Sequence, residues 1–518
     1  MYEYNLALRF QNVAAARGEA AALWFGPDET TSYAALNRLA NRLARALLAR
    51  GIGPADVICL SGAKLVETYA LMLACLKIGA VYSILDPDTP PERLRKILAT
   101  CRPKLMLGEA EFLETRREVA VEQGAAAEDK QRLLSEAHAD DTDLPRTSDV
   151  HGDHAAYIMF TSGSTGVPKG AVMTHANVLN LIGWARATYT ITPEDRLTNV
   201  NPLYFDNSVF DFYASLFNGA ALVPFSKLET RDPRALVQKI DAAQCSLWFS
   251  VPSLLIFLQT MKATDGIRLG SIRRFVFGGE GYPKAKLQKL FETYPRAELH
   301  NVYGPTECTC ICSSYLLSAA DFEDTQGLPP LGAIAPNFGF LILDEEGRPA
   351  PAGEIGELCL TGPNVGKGYY NDPERTEAVF VQNPLNPHYR EVMYRTGDLA
   401  CVSPADGKLH IQGRRDNQIK HMGYRIELEE IESALHRLAY VDEAAALHTN
   451  ARGLSRIVAV IASGDEVPAD RVKRDLAAFI PDYMIPSVVH REGALPKNAN
   501  GKVDRRRLAE TYLEGEKP

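Results

Sequence analysis

The chain has no uncharged apolar run long enough to cross a bilayer. Its greasiest stretch, Thr68 to Leu85, is broken by Lys77 and Gly79 and changes period midway, as a buried helix followed by a buried strand would. Positive charge is also short: 56 Lys+Arg against 65 Asp+Glu give a net charge of −9, which counts against a nucleic-acid polyanion as main partner. Met1 to Arg17 lacks the basic start and apolar run of a signal peptide, so a cytoplasmic protein without nucleic-acid or membrane partner is expected. The nine cysteines include no CxxC pair with a nearby histidine, so a zinc site is unsupported and reduced core thiols are expected. Cys308, Cys310 and Cys312 alternate, which predicts one shared face of a strand. What is present, 46% hydrophobic and 23% charged residues over 518 positions, suffices for several packed cores.

Leu36, Leu39, Leu43 and Leu47 fall at helical spacing between a capping Ser32 and Gly51. Strand, helix, strand, helix, strand then follow at Val57–Leu60, Leu65–Ile78, Ala80–Leu85, Pro91–Ala99 and Lys104–Leu107, the alternation of a parallel sheet flanked by helices. Glu111 to Asp153 is acidic and Ala-rich and reads as a surface connection. A second alternating series runs from Tyr157 to Leu317, with strands at Ala220–Pro224, Ser246–Val251, Arg274–Phe277 and Glu298–Val302. Beyond Leu331 come short glycine-rich strands, and the last hundred residues carry helices near Glu427–Leu438 and Ala469–Phe479 with two strands. The fold class expected is α/β: a large N-terminal domain of two α/β subdomains and a small β-rich one, over 1–412, then a C-terminal α+β domain over 413–518.

The sharpest motif is Thr161-Ser162-Gly163-Ser164-Thr165-Gly166-Val167-Pro168-Lys169-Gly170, directly after the strand Tyr157–Phe160. Its glycines let successive N–H groups face one anion, four hydroxyls add donors, and Lys169 adds charge suited to a leaving pyrophosphate. Pro168 opposes a helix start at the lysine, so this is not the usual P-loop.

That loop resembles the signature of the adenylate-forming superfamily, which includes acyl-CoA synthetases, luciferases and peptide-synthetase adenylation domains. The similarity covers nearly the whole chain and keeps the motif order: Leu76-Lys-Ile-Gly-Ala80, Tyr204-Phe-Asp-Asn-Ser208, Asn301-Val-Tyr-Gly-Pro-Thr-Glu307, Gly356-Glu-Leu358, Tyr394-Arg-Thr-Gly-Asp-Leu399, Gly413-Arg-Arg-Asp416, Gly423 to Glu432, and Asn500-Gly-Lys-Val-Asp-Arg505. With Gly279-Glu280 and Glu429-Glu430, the pattern most resembles stand-alone amino-acid ligases such as the D-alanine–carrier protein ligase.

The resemblance implies ATP and Mg²⁺ as cofactors and assigns roles by position. Thr161, Ser162, Gly163, Ser164, Thr165, Gly166, Gly279, Glu280, Asn301, Val302, Tyr303, Gly304, Pro305, Thr306, Asp398, Gly413 and Arg414 would hold the nucleotide. Tyr303 would stack on adenine, Asn301 read its edge, and Asp398 with Arg414 take the ribose hydroxyls. Glu307 would be the magnesium carboxylate. Lys169 and Lys502 would be catalytic, Lys502 bridging the substrate carboxylate and the α-phosphate, and Asp416 would be the hinge on which a mobile C-terminal lid turns, with the Gly423 loop lining a thiol's path.

The implied reaction is activation of an amino acid as aminoacyl-AMP with release of pyrophosphate, then transfer to the phosphopantetheine thiol of a separate carrier protein, as in nonribosomal peptide synthesis. An acid–CoA ligase is the alternative. Asp206 matches the aspartate that pairs with the substrate ammonium; read from the residues alone, it is an N-cap before Ser208. By resemblance the acyl pocket is Asn207, Phe210, Phe249, Val276, Gly278, Val302, Cys310 and Ile311, with Lys502 at the carboxylate. None of its walls is charged, so a neutral, mainly aliphatic amino acid is expected. Gly278 stands where D-alanine ligases carry cysteine, which would deepen the pocket beyond alanine, and Asn207 would suit a displaced β-amine.

Overall fold

The computed structural model describes residues 3–137, 139–336, 338–451, 454–497 and 503–513. It divides into two compact units: Met1–Pro87, Thr100–Phe160 and Gly170–Arg415 form the first, and Asp88–Ala99, Thr161–Lys169 and Asp416–Pro518 the second.

The predicted helices of the N-terminal third are present. Ser32 caps Tyr33–Ala49 by accepting from the Ala35 amide, and the helix packs Leu36, Leu43 and Leu47 fully buried. Val66–Ile78 is buried along its whole last three turns and stops at Gly79, whose φ of 72° suits a residue without Cβ. Between Val57–Ser61 and Val81–Leu85 this segment acts as the crossover of a parallel pair, Val57 opposite Val81.

Sheet membership differs from the sequence reading. Ala155–Thr161, which opens the second alternating series, is a strand of the first sheet, pairing parallel to Val81–Leu85 with Tyr82 opposite Tyr157. Conversely, the N-terminal hairpin Ala21–Gly26 and Glu29–Ser32 forms one edge of the second, nine-stranded sheet. Local periodicity reports that a segment is a strand, not which sheet receives it. The acidic connection after Glu111 also holds Ala126–Asp129, an edge strand parallel to Leu105–Gly108. The nine-stranded sheet sets Leu247–Ser250, Arg274–Gly278 and Glu298–Tyr303 side by side and parallel, so Phe249 opposes Val276 and Gly278 opposes Val302. Their carboxyl ends form the kind of edge where open α/β sheets bind ligands.

A five-stranded antiparallel sheet includes Gly339–Leu343, Gly356–Thr361 and Val392–Val402, the β-rich portion of the first unit. The second unit holds the expected helices at Leu428–Leu435 and Ala469–Leu476. Its strands exceed the two expected: a hairpin, Gln418–His421 with Tyr424–Glu427, precedes a three-stranded sheet of Glu443–Ala451, Leu454–Ala462 and Val488–Glu492. No helix among the described residues is long and apolar enough to cross a membrane.

All nine cysteines are free and buried. The expected strand through Cys308, Cys310 and Cys312 is absent. Thr306–Cys308 is a 3₁₀ turn, and Thr309 and Cys310 follow at φ 60° and 72°. Two successive non-glycine residues in that region mark a strained bend, held here because the Thr309 hydroxyl donates to the Asn364 carbonyl at 2.7 Å.

Candidate active site

In the first unit the structure gathers most of the residues singled out by motif. Phe210, Phe249, Val276, Val302, Cys310 and Ile311 belong to one buried cluster. Phe210 and Phe249 meet edge to face, ring centroids 5.0 Å apart at 71°, and so make a single aromatic wall. Asn207 lies beside Gly279: a Cβ on that glycine would stand 3.5 Å from the Asn207 amide nitrogen. Glu280 accepts from the Ser253 amide at 2.6 Å.

Gly278 meets a packing requirement. A Cβ there would meet the Val302 carbonyl oxygen at 2.5 Å and its Cγ2 at 2.6 Å. The side-chain direction runs into the neighbouring strand, so the glycine permits close pairing. Gly304 is required in the same way, its Cβ falling 2.3 Å from the Cys310 carbonyl.

Asp206 precedes the helix Asn207–Leu216 but makes no side-chain cap bond to it. Its carboxylate instead accepts from the Thr306 hydroxyl at 2.6 Å. Thr306 follows Pro305 in the loop after the strand Glu298–Tyr303, so the bond joins two motifs a hundred residues apart in the chain.

Tyr303, Asp398 and Arg414 form a linked set. The Tyr303 hydroxyl donates to one Asp398 oxygen at 2.5 Å, and Arg414 donates to the other at 2.6 Å. Arg414 and Asp398 face each other across paired antiparallel strands, with Gly413 beside Leu399. Burial and the Asp398 charge push the Tyr303 phenol well above its ordinary pKa, so it remains a donor. Asn301 is buried and its amide donates to the Pro330 carbonyl at 2.8 Å. Glu307 is fully buried and accepts from the Tyr369 hydroxyl at 2.7 Å.

The second unit contains the loop Thr161–Lys169. A Cβ on Gly163 would lie 2.1 Å from the Val167 carbonyl, and Gly166 has φ 72° with its N–H on the Gly163 carbonyl, so both glycines are demanded by the turn. Ser164 and Thr165 are exposed, whereas the Thr161 hydroxyl is buried with no hydrogen-bond partner among the described residues. Ser162 donates to the Arg425 carbonyl at 2.7 Å and accepts from the Glu427 amide at 3.1 Å. Lys169 pairs with the Glu427 carboxylate at 3.2 Å, and Gln418 donates to that same carboxylate oxygen at 2.7 Å. Lys96 donates to the Gly166 carbonyl at 2.7 Å. Asp416, first residue of the unit's C-terminal stretch, accepts from the Gln418 amide at 3.3 Å. Lys502 lies outside the described residues; Lys497 and Val503, which bracket its loop, form an antiparallel bridge.

Sequence reasoning did not single out Glu427, Gln418 or Tyr369 as partners of site residues. Glu427 lies within the Gly423–Glu432 motif, but no local signal reveals which loop its carboxylate meets.

A family model described as AMP-binding enzyme matches residues 10–370, and one described as AMP-binding enzyme C-terminal domain matches 430–502. The chain belongs to the AMP-binding enzyme family. It is 34% identical over 490 residues to a dimodular nonribosomal peptide synthase of Bacillus subtilis (strain 168), covering 93% of this chain and 20% of the synthase. The chain therefore spans about a fifth of that relative's length. Among solved structures, a nonribosomal peptide synthetase protein containing adenylation and PCP domains, bound to a vinylsulfonamide inhibitor, aligns with TM-score 0.82 and 26% identity over 98% of this chain and 84% of that one. An o-succinylbenzoate CoA synthetase from Bacillus subtilis shares the fold, with TM-score 0.85 and 22% identity over 98% of both chains.

Proposed function

We propose that this AMP-binding enzyme activates a neutral amino acid as aminoacyl-AMP and passes it to the phosphopantetheine thiol of a separate carrier protein. The observation that carries the reading is Asp206, a carboxylate held by the Thr306 hydroxyl and near enough to Cys310 of the aromatic-walled cluster for its charge to join burial in raising that thiol's pKa. A substrate ammonium taken from water needs such a partner, and a fatty or aryl acid does not. The similarity to peptide synthases and to an adenylation–PCP protein supports carrier loading.

In this mechanism the amino-acid carboxylate oxygen bonds to the α-phosphorus as the bond to the bridging β-oxygen breaks and pyrophosphate leaves. Tyr303 stacks on the adenine beside Asn301, while Asp398, oriented by Arg414 and Tyr303, accepts from the ribose hydroxyls. The Thr161 hydroxyl, buried and without a partner among the described residues, is a donor for a phosphate oxygen, and Lys169 supplies charge to the departing pyrophosphate. Lys502 neutralises charge where carboxylate and α-phosphate meet. The described residues hold no cluster of three or more His, Cys, Asp or Glu able to bind a metal. Magnesium is usually held by one or two carboxylates and the substrate's own phosphates, and Glu307, buried and bonded to the Tyr369 hydroxyl, is the carboxylate offered. When bound, the ion would offset negative charge on those phosphates. In the second half-reaction the thiol sulfur attacks the acyl carbon and AMP leaves, the C-terminal domain having turned about Asp416.

Amino-acid-dependent pyrophosphate exchange across a panel including D- and β-forms tests the reading. Exchange with a neutral amino acid, followed by thioester formation on a carrier protein faster than on CoA, is the expected outcome. Turnover of des-amino acids alone, or of CoA alone, would replace it with the acid–CoA ligase.

A further inference from the structure

We infer that Asp211 is a positioning residue that sets the aromatic wall of the acyl pocket, an inference that rests on the placement of Phe210 and Phe249 in that pocket. Asp211 follows Phe210 directly in the helix Asn207–Leu216 and is fully buried. One of its carboxylate oxygens accepts two hydrogen bonds, from the Asn199 amide at 2.9 Å and the Asn201 amide at 3.0 Å. The same Asn201 nitrogen donates to the backbone carbonyl of Phe249 at 3.1 Å. One NH₂ group thus ties the helix that carries Phe210 to the strand that carries Phe249.

The bracket is itself held. Tyr69 donates to the Asn199 side-chain oxygen at 2.7 Å, and Lys64 donates to the Asn199 carbonyl at 2.5 Å. Asn199 ends the strand Arg196–Asn199, so the network sits at the carboxyl end of parallel-paired strands in the nine-stranded sheet. Moving either end of the bracket moves one phenyl ring against the other, and their edge-to-face contact tolerates little displacement.

Burial pushes the Asp211 pKa up to about 7, and the nearby Lys64 charge opposes that shift. The second Asp211 oxygen is buried with no hydrogen-bond partner among the described residues, an arrangement that costs stability. One Asp211 oxygen accepts both amides at once. An asparagine at this position would replace one of these oxygens with an NH₂ donor.

The test is pyrophosphate exchange on a graded series of neutral amino acids with Asp211→Asn and Asn201→Ala. Both variants should raise the amino-acid KM about tenfold and flatten preference along the size series, with ATP KM and kcat within about threefold of the parent. An unchanged size profile, or equal losses in amino-acid and ATP parameters, would overturn the inference. Should Asp211→Asn fail to fold, Asn201→Ala decides alone, because it leaves the Asp211–Asn199 bond in place. If the parent activates no amino acid, it is the functional reading that fails; the variants are then compared on the acid it does activate, where the same split is required.

Discussion

The Lys169 ammonium lies 3.2 Å from the Glu427 carboxylate, and two residues away along the hairpin the Arg425 carbonyl takes the Ser162 hydroxyl proton. The cation and one hydroxyl of the Thr161–Lys169 loop are therefore engaged by the protein's own chain, and under the proposed function a triphosphate would compete for them. Glu427→Gln removes the competing charge. Magnesium pyrophosphate should then bind about three- to tenfold more tightly, as loss of a partly buried rival charge warrants. Calorimetric titration measures it, and unchanged affinity would show that no competition exists.

Asp206→Asn should lower kcat/KM for the amino acid by roughly 30-fold or more, since losing the partner of a desolvated charge costs about 2–5 kcal/mol. Preference over the matching des-amino acid should collapse. If that preference survives, Asp206 does not meet the amine.

Lys502→Ala is expected to cut adenylate formation about a hundredfold, as loss of one transition-state donor does. ATP affinity should stay near that of the parent, because the group acts where charge develops. Exchange at the parent rate would remove Lys502 from the chemistry.

Gly278→Cys tests packing against pocket depth. Its Cβ is directed at the Val302 carbonyl, so overpacking should cost about 1–3 kcal/mol of stability. Urea unfolding reads this directly. A variant as stable as the parent and shifted toward alanine would support the deeper-pocket reading.

Acid should destabilise the protein through His175. Burial, with smaller contributions from His154 and His151, pushes its pKa down from 6.5 to about 3. The ring is buried and its Nδ1 accepts from the Leu6 amide. The unfolded chain binds this proton more readily than the native one, so the contribution is complete above pH 6.5 and is lost as pH falls toward 3. The thermal midpoint should drop across that window, and less steeply in His175→Asn. Identical slopes would assign the acid sensitivity to other groups.

What could be read from sequence was local. The glycines of Thr161–Lys169 are required by contacts within a few residues, such as Gly163 against the Val167 carbonyl, and such requirements leave a pattern in the string. The helix from Ser32 was readable for the same reason, since its cap and apolar stripe lie in one short window. Ala155–Thr161 was readable as a strand but not as a member of the first sheet, because its partner at Tyr82 is far away along the chain. The alternation of Cys308, Cys310 and Cys312 misled, since a left-handed pair at Thr309 and Cys310 interrupts what looked extended. The Thr306–Asp206 bond and the Asp211 network depend on tertiary packing alone.

The burial of every cysteine bears on the enzyme's own safety. An aminoacyl-adenylate is made to be captured by sulfur, and a reactive thiolate near it would intercept the acyl group. Cys310, in the pocket cluster, is held as a thiol because burial and the nearby Asp206 and Asp211 charges push its pKa well above the ordinary value. A thiol is a weak nucleophile, so the acceptor arriving from outside meets no sulfur rival. Under the proposed function, the enzyme would thus hold an aminoacyl-adenylate without acylating itself.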